Sequence, residues 1–323
     1  MQEPRIIYMG TPDFAVAPLK LLVESGYNVL SVVTVPDKPA GRGLKIQQSP
    51  VKVYAVEKGI PVLQPDKLKS PDFVEAIKQL KPDIAVVVAF RMLPKEIWSI
   101  PSLGTFNLHA SLLPQYRGAA PINWAIINGE SISGVTTFLI DEQIDTGNIL
   151  LQKEVPILNT DNAGDLHDNL MLAGAPLVVE TVNLLFSNRA KPVSQNNLNI
   201  SNSLKPAPKI FKDTCKIDWT LNIDSVYNLI RGLSPYPTAW SEMEINNGTE
   251  KSITSVKIFS TDKEISNHSL KAGTIVTDGK KQLKVACSNG FIAIKNIQLA
   301  GKKRLSIDEF LRGTQNLKLI RML

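Results

Sequence analysis

The sequence has few of the residues that build covalent or metal-centred frameworks. Its 323 residues include two cysteines, Cys215 and Cys287, which lie far apart and belong to no CxxC pair. This spacing argues against a disulfide framework and a zinc ribbon, and it fits a reducing compartment. We therefore expect two ordinary packed thiols and no metal site.

A targeting segment and long apolar runs are also lacking. The stretch MQEPRIIYMG joins an acidic, proline-containing start to a short β-type run, without the basic and long apolar regions of a signal peptide. No apolar run approaches the roughly 20 residues that a membrane span needs. We expect a cytoplasmic protein without a membrane partner.

Positive charge is concentrated in the C-terminal third. Residues 206–323 carry 18 Lys and Arg against 11 Asp and Glu, a net charge of +7, whereas residues 1–205 carry 18 against 19, a net charge of −1. Concentrated positive charge favours a polyanionic partner that is bound partly by this third. A solubilising surface accounts for the charge equally well.

Short apolar runs alternate with helical patterns in the first half of the chain. This alternation predicts an α/β fold with a mainly parallel sheet, in which ligands bind at the carboxyl ends of the strands. The predicted strands are 5–10, 28–35, 83–90, 104–110, 134–140 and 149–157, and the predicted helices are 13–25, 50–58, 71–80 and 161–186.

A chain of 323 residues is longer than a single hydrophobic core usually supports, so we predict two domains. Residues 188–208 are rich in Asn, Ser, Pro and Lys and have almost no apolar periodicity, which is typical of a linker. The following residues combine one helical pattern, 224–233, with several short strand-like runs, which predict a small barrel or sandwich. The predicted boundaries are 1–187, a linker at 188–208, and 209–323.

The segment FNLHASLLPQYRGAAP, residues 106–121, carries the densest chemistry of the chain. Asn107 and His109 are two residues apart, so on a strand they project from one face and reach the same small group. An amide and an imidazole together can stabilise the oxyanion of a carbonyl under attack. Asp145, in the turn DEQIDTGNIL, supplies a proton acceptor and an orienting group if it reaches His109.

Two basic segments are candidates for phosphate contacts. The connection from Val35 to Val53 is long for a link between a strand and a helix, and it contains Lys38, Arg42, Lys45 and Lys52. Long basic loops with glycine hinges are often functional. We favour contact with a phosphate backbone over a solvated insertion, because this loop would emerge from the same sheet edge as the strand that carries Asn107 and His109. The later run Lys302, Lys303 and Arg304 is either a turn or a second phosphate contact.

These motifs resemble those of the methionyl-tRNA formyltransferases, a branch of the 10-formyltetrahydrofolate-dependent formyltransferases. The resemblance covers essentially the whole chain. The motifs that carry it are GTPDFA at 10–15, GRGLKIQQSPVK, NLHASLLPQYRGAAPI, DEQIDTGNIL, IRGLSPYPTAW at 231–240 and GKKRLSIDEFLRG at 301–313. NLHASLLP and the later DTG are specific to the wider group, whereas RGAAP, the basic loop and the C-terminal domain narrow the resemblance to the tRNA branch.

The resemblance implies a Rossmann-like N-terminal catalytic domain and a smaller OB-like β-barrel C-terminal domain that binds tRNA. It implies a monomer that transfers a formyl group from 10-formyltetrahydrofolate, its co-substrate, to initiator methionyl-tRNA without a metal. The catalytic residues implied are Asn107, His109 and Asp145, and the folate-binding loop implied is Ser111, Leu112, Leu113 and Pro114. Arg42 matches the family's inserted loop, which is implied to touch the tRNA acceptor stem. Lys45, Lys302, Lys303 and Arg304 are expected to be further tRNA contacts because of their charge.

One residue departs from the family pattern. Similar sequences often read AYGxILP where this chain has AFRMLP at 89–94, so Arg91 replaces a glycine beside the expected pterin pocket. Two alternatives stay open. A formyltransferase that acts on a sugar-nucleotide or glycinamide amine would share NLHASLLP, and a non-catalytic RNA-binding protein could use the same fold.

Overall fold

The structure is a computed structural model that describes residues 3–40, 45–198, 203–246, 250–315 and 317–323. The chain forms two compact units. The first comprises residues 1–121, 132–156 and 167–207, and the second comprises residues 122–131, 157–166 and 208–323.

The described residues form sixteen strands and eight α-helices. In chain order the strands are β1 Ile6–Gly10, β2 Val29–Val33, β3 Lys38–Ala40, β4 Lys45–Gln47, β5 Val62–Leu63, β6 Ile84–Val88, β7 Thr105–His109, β8 Ile132–Leu139, β9 Ile149–Pro156, β10 Ala239–Asn246, β11 Lys251–Ile265, β12 Ile275–Thr277, β13 Leu283–Cys287, β14 Gly290–Leu299, β15 Leu305–Ser306 and β16 Lys318–Met322. The helices are α1 Val16–Glu24, α2 Pro50–Glu57, α3 Pro71–Gln79, α4 Lys95–Trp98, α5 Pro121–Ile127, α6 Ala163–Phe186, α7 Ile223–Gly232 and α8 Ile307–Gly313.

A seven-stranded sheet forms the core of the first unit, with the order β5-β2-β1-β6-β7-β8-β9. The pairs from β5 to β7 are parallel, whereas β8 pairs antiparallel with β7 and β9 pairs antiparallel with β8. Every residue of β1 and of β6 is buried, as expected for parallel strands covered on both faces. The predicted Rossmann-like α/β fold is confirmed.

The connection between β2 and α2 contains a small hairpin that the sequence patterns miss. Strands β3 and β4 pair antiparallel as a two-stranded sheet of their own. Each has three residues, which is too short for a period-two signal. Helix α2 then begins with proline in its first turn, and the side chain of Ser49 caps it by accepting a hydrogen bond from the amide of Lys52 at 3.1 Å.

Helix α6 has 24 residues and is the longest helix of the described chain. By length and apolar composition alone it could cross a membrane. However, Leu170, Val178 and Val182 are almost fully buried, because one side of the helix packs against the protein. This pattern is that of a core helix.

The second unit contains a nearly closed antiparallel barrel. Its strands follow the order β12-β13-β14-β11-β10-β16, and β15 pairs with β14. An isolated bridge between Thr274 and Arg321 links the two ends of this order. Side chains of α7 and α8 join the strands in one apolar core that includes Trp219, Ile230 and Phe310. The predicted small C-terminal barrel is confirmed.

Two short segments from the N-terminal half belong to the second unit. Asn123, on α5, donates through its side-chain amide to the Gly232 carbonyl at 2.7 Å. The buried Arg231 guanidinium donates to the Asp161 carbonyl at 2.8 Å, and the Tyr227 hydroxyl donates to the Asn159 carbonyl at 3.0 Å. The composition of the chain does not reveal that these two segments belong to the second unit, because the grouping depends on hydrogen bonds between single side chains and backbone carbonyls.

The segment predicted as a linker follows the first unit closely. Val193 forms an isolated antiparallel bridge with Ile149, and Ala207 forms a parallel bridge with Gly118. Gln195, between them, is only 3% exposed. Residues 193–207 therefore include fixed contacts to the sheet and to the loop after β7.

Both cysteines lie in the second unit and are free thiols. Cys215 and Cys287 are buried, as expected from the sequence. Burial raises the pKa of Cys287 to about 12, so this thiol stays protonated at neutral pH.

Candidate active site

Asn107 and His109 lie on one face of β7 at its carboxyl end. The strand is held between β6, where Val87 pairs with Asn107, and β8, where Thr136 pairs with His109. His109 is buried, whereas Asn107 is partly exposed. The side-chain amide of Asn107 makes no hydrogen bond with any described residue, so it is free to donate to a bound oxygen atom.

The His109 ring faces a carboxylate and a carbonyl. Its Nδ1 lies 3.8 Å from Asp145 Oδ2, which suits an ion pair but is too long for a hydrogen bond. Its Nε2 lies 2.9 Å from the backbone oxygen of Tyr116 and donates to it, because a carbonyl can only accept. A second proton, on Nδ1, would therefore face Asp145. The structure thus brings together all three residues that the sequence analysis proposes as catalytic.

Backbone geometry fixes the direction of the Asp145 side chain. Asp145 has a φ of +57°, a left-handed conformation that Asp and Asn adopt more readily than most residues. Its Oδ2 accepts a hydrogen bond from the Gly118 amide at 2.9 Å. Gly147 closes the turn, and a Cβ at that position would collide with the Leu139 carbonyl oxygen. The turn therefore needs its glycine.

Gln195 is a buried residue of this site that sequence patterns do not reveal. Its Nε2 donates to the carbonyls of Asp145, at 3.0 Å, and Gly147, at 2.8 Å. Its Oε1 accepts from the Arg117 guanidinium through Nε, at 3.0 Å, and Nη2, at 2.5 Å. One glutamine thus ties the Asp145 turn to the loop that follows β7.

The proposed folate loop is held mainly by its own backbone. The Ser111 hydroxyl is fully buried and donates to the Gln115 carbonyl at 2.6 Å. Thr136, on β8, donates to the Ser111 carbonyl at 2.6 Å and accepts from the Leu113 amide at 3.1 Å. Gln152 adds a hydrogen bond to the Leu113 carbonyl at 2.9 Å.

Within this loop the side chains of Ser111, Leu113 and Pro114 are buried, and that of Leu112 is partly exposed. The buried side chains shape the loop. A ligand would therefore meet its backbone and the Leu112 side chain more readily than the Ser111 hydroxyl.

Arg91 turns toward the neighbouring strand end. Its guanidinium donates to the carbonyls of Pro65, at 2.9 Å, and Asp66, at 3.2 Å, and lies 5.3 Å from the ring centroid of Phe90. Ala89, at the end of β6, has a φ of +46°. Arg91 thus joins the loop after β6 to the loop after β5.

The basic residues proposed for tRNA fall into two groups. Arg42 lies outside the described residues, and Lys45 begins β4, although its side chain lies outside the described part. Lys302 and Lys303 are exposed in the turn between β14 and β15. Arg304 lies over the Phe259 ring, at 4.2 Å from its centroid, and donates to Asn296 Oδ1 at 3.2 Å.

Comparison with known proteins agrees with this fold and with these motifs. A family model described as formyl transferase matches residues 4–182, and a model described as formyl transferase, C-terminal domain, matches residues 209–315. The chain belongs to the formyl transferase family. The resemblance stated from the motifs is confirmed.

Curated relatives are similar to this chain over nearly its whole length. Methionyl-tRNA formyltransferase of Bacteroides thetaiotaomicron is 56% identical over 312 residues, which cover 97% of this chain and 96% of the relative. The enzyme of the same name from Flavobacterium johnsoniae is 49% identical and covers 97% of both chains.

Solved structures share the fold at lower identity. An N-formyltransferase from Helicobacter canadensis, in complex with folinic acid and dTDP-3-aminofucose, has a TM-score of 0.62 at 22% identity and covers 94% of this chain and 100% of its own. HypX from Aquifex aeolicus, in complex with tetrahydrofolic acid, has a TM-score of 0.63 at 19% identity and covers 96% of this chain and 47% of its own.

The contacts of Gln195 lead to a first prediction. Gln195→Leu keeps a similar volume but removes two donors from the Asp145 turn and the acceptor of Arg117. We expect the free energy of unfolding to fall by about 1–3 kcal/mol. We also expect kcat for formyl transfer to fall about tenfold, since small displacements of a catalytic group are costly. Urea unfolding and steady-state kinetics measure both.

Gln143→Leu is the matched control, because Gln143 is exposed in the loop that leads to the same turn. It should leave stability and kcat unchanged. Equal kcat values for the two variants would show that Gln195 does not position Asp145.

Proposed function

We propose that this protein transfers the formyl group of 10-formyltetrahydrofolate to the free amino group of initiator methionyl-tRNA. The observation that carries the proposal is near-complete coverage at 48–56% identity by relatives named methionyl-tRNA formyltransferase. The chain also has the pair of His109 and Asp145, at 3.8 Å, beside the free Asn107 amide. This donor set suits a carbonyl that becomes tetrahedral.

The catalytic roles follow from the available donors and acceptors. The methionyl α-amine, which titrates near pH 8, attacks the formyl carbon in its neutral form. Asn107 donates to the oxygen atom that gains negative charge, and His109 contributes a second positive or donating group. The nitrogen of the amine loses a proton as the new C–N bond forms, and Asp145, which also orients His109, helps to accept it. The folate nitrogen leaves and takes up a proton.

The contacts of His109 constrain this mechanism. Nε2 is engaged by the Tyr116 carbonyl and Nδ1 faces Asp145. For the ring to donate to the substrate oxygen, one of these contacts must be exchanged. Tyr116 has a φ of +60°, an uncommon conformation for a bulky residue, so the loop that holds its carbonyl is the element that would move.

A basic and aromatic stripe on the second unit supports a nucleic-acid substrate. Trp240 on β10 pairs with Lys257 on β11. Lys257 is exposed, whereas Trp240 is partly buried and also packs against the barrel core. The amines of Lys212 and Lys216 lie 5.3 and 5.4 Å from the Trp240 ring centroid. Such surfaces combine phosphate contacts with aromatic platforms.

The stripe continues from Lys257 toward β14 and the turn after it. Phe259 follows on β11 and carries the Arg304 guanidinium on its ring. Lys302 and Lys303 are exposed immediately before Arg304. Glu242, which pairs with Lys216 at 3.2 Å, is an acidic neighbour of the stripe. Lys302, Lys303 and Arg304, together with Arg42 and Lys45, are the proposed phosphate contacts.

The remaining proposals concern organisation. The proposed division along the sequence is a catalytic domain at 1–187, a connection at 188–208 and a tRNA-binding domain at 209–323, and the family models at 4–182 and 209–315 support it. The protein acts as a cytoplasmic monomer. It needs no metal, since the acid and base roles are filled by side chains.

Direct formylation is the test of this function. We expect the protein, supplied with 10-formyltetrahydrofolate and initiator tRNA charged with methionine, to produce formyl-methionine after deacylation. Amino sugar nucleotides and glycinamide ribonucleotide should accept the formyl group far more slowly. Preference for one of those amines, or tRNA binding without transfer, would replace the proposal by the corresponding alternative.

Substitution of the oxyanion donors tests the mechanism. Asn107→Ala and His109→Ala should each lower kcat by roughly 100- to 1000-fold, or about 3–4 kcal/mol of transition-state stabilisation. Asn148→Ala, an exposed asparagine near the Asp145 turn, is the control and should keep full activity. Near wild-type kcat for both donor variants, with an intact circular dichroism spectrum, contradicts the assignment.

Salt dependence tests the phosphate contacts. We expect the apparent affinity for tRNA to fall steeply with salt, because each contact releases counterions. Lys303→Met should weaken binding and reduce the slope of log affinity against log salt by about one. Lys263→Met removes the same charge where it pairs with Asp224, at 2.5 Å, and should leave the slope unchanged. A slope near zero for the wild type contradicts the phosphate interface.

A further inference from the structure

A closed ring of three polar side chains lies at the base of the basic hairpin. Asp37 directly precedes β3, Lys52 lies on α2, and Gln64 directly follows β5. The Lys52 amine donates to Asp37 Oδ2 at 2.5 Å and to Gln64 Oε1 at 2.8 Å. Gln64 Nε2 donates to Asp37 Oδ1 at 2.8 Å, so each side chain binds the other two. We call this ring the hairpin clamp.

The clamp is tied to the sheet by further hydrogen bonds. Gln64 Nε2 also donates to the Val35 carbonyl at 2.8 Å. The hydroxyls of Thr34 and Ser49, which stand at the two ends of the insertion, are 2.8 Å apart and buried. The end of β2 and the start of α2 are therefore held together by this hydrogen bond, and the β3–β4 hairpin projects from the place where they meet.

The Lys52 amine is poorly placed to bind a phosphate. The side chains of Lys52 and Asp37 are only 16% and 23% exposed. Hydrogen bonds from Lys52, first, and from Gln64 lower the pKa of the Asp37 carboxyl, so Asp37 is charged at neutral pH. An ammonium that is paired with a carboxylate and largely removed from water is a structural partner. This differs from the simple expectation that every lysine of a basic loop contacts the ligand.

We propose that Asp37, Lys52 and Gln64 are positioning residues that fix the direction of the β3–β4 hairpin, so that the basic residues of the hairpin meet the tRNA. The inference rests on the proposed function, since the hairpin is taken as a tRNA contact. A hairpin that is already directed loses less conformational freedom on binding than a free one. The clamp therefore acts on tRNA affinity and leaves the chemical step unchanged.

Charge-changing variants separate positioning from direct contact. Asp37→Asn adds one positive charge to the protein, so a purely electrostatic loop would bind tRNA more tightly. Under the clamp model the same variant loosens the hairpin, and KM for tRNA rises about tenfold, or about 1.4 kcal/mol. We expect kcat at saturating tRNA to stay within about twofold of the wild type, because the catalytic residues are untouched.

Lys52→Met and Gln64→Met complete the set. Both should raise KM for tRNA to a similar extent, and the double variant Asp37→Asn with Lys52→Met should be no worse than either single variant. The slope of log affinity against log salt should stay at its wild-type value in Lys52→Met, since no phosphate contact is lost. A direct contact would reduce it by about one. Gln64→Met changes no charge. It therefore still tests the clamp if Asp37→Asn or Lys52→Met fails to fold.

Matched controls lie beside the clamp. Asp66→Asn makes the same charge change on an exposed residue two positions after Gln64, and Lys58→Met removes an exposed lysine from the end of α2. Neither should change KM more than about twofold. Asp37→Glu, which keeps the carboxylate, should recover part of the lost affinity.

The outcomes distinguish this inference from the function on which it rests. If the wild-type protein does not formylate methionyl-tRNA, the proposed function is wrong. If it does, but Asp37→Asn tightens tRNA binding or Lys52→Met lowers the salt slope by about one, the clamp does not position the hairpin and Lys52 contacts phosphate. If all three variants keep the wild-type KM, the clamp has no role in tRNA binding.

Discussion

The position of the Asp145 carboxylate is the constraint on which the rest of the candidate site depends. The side chain is aimed by a left-handed backbone conformation and by the Gly118 amide, and its own carbonyl is held by Gln195. Three parts of the chain that are distant in sequence therefore fix one oxygen atom next to His109. Because small displacements of a catalytic group are costly, each of these contacts would bear on the proposed chemistry without touching a substrate.

The position of β7 inside the sheet explains why this site is rigid. Parallel pairing with β6 brings Asn107 and His109 to the carboxyl edge, where ligands bind in such folds. Antiparallel strands β8 and β9 then cover the other side of β7, so the strand is not an edge strand. The same added strands supply Thr136 and Gln152, which hold the loop after His109. The antiparallel extension thus stabilises both the strand and the loop on which the proposed chemistry depends.

Patterns in the sequence predict the elements that apolar side chains define. The run IAVVV predicts a strand that is buried on both faces. The two-residue spacing of Asn107 and His109 predicts that both side chains lie on one face of their strand. The role of Gln195 could not be predicted, because a single glutamine in a stretch rich in Asn and Ser carries no periodic signal. Its partners are two backbone carbonyls about 50 residues away along the chain and the Arg117 guanidinium, 78 residues away. Arg91 is similar, since its partners are also carbonyls.

Charge patterns are informative for a region and uninformative for a residue. Most lysines and arginines among residues 206–323, which carry the surplus of +7, are exposed, although Arg231 is buried. Lys52 contributes equally to any count of positive charge, yet its amine is enclosed by Asp37 and Gln64. Exposed lysines differ from Lys52 in their hydrogen-bond partners and in their exposure to solvent. A count of positive residues contains neither kind of information. Under the proposal, a basic loop contains residues that meet the ligand and residues that hold the loop in place, and the partners and exposure of each side chain in the folded chain tell them apart.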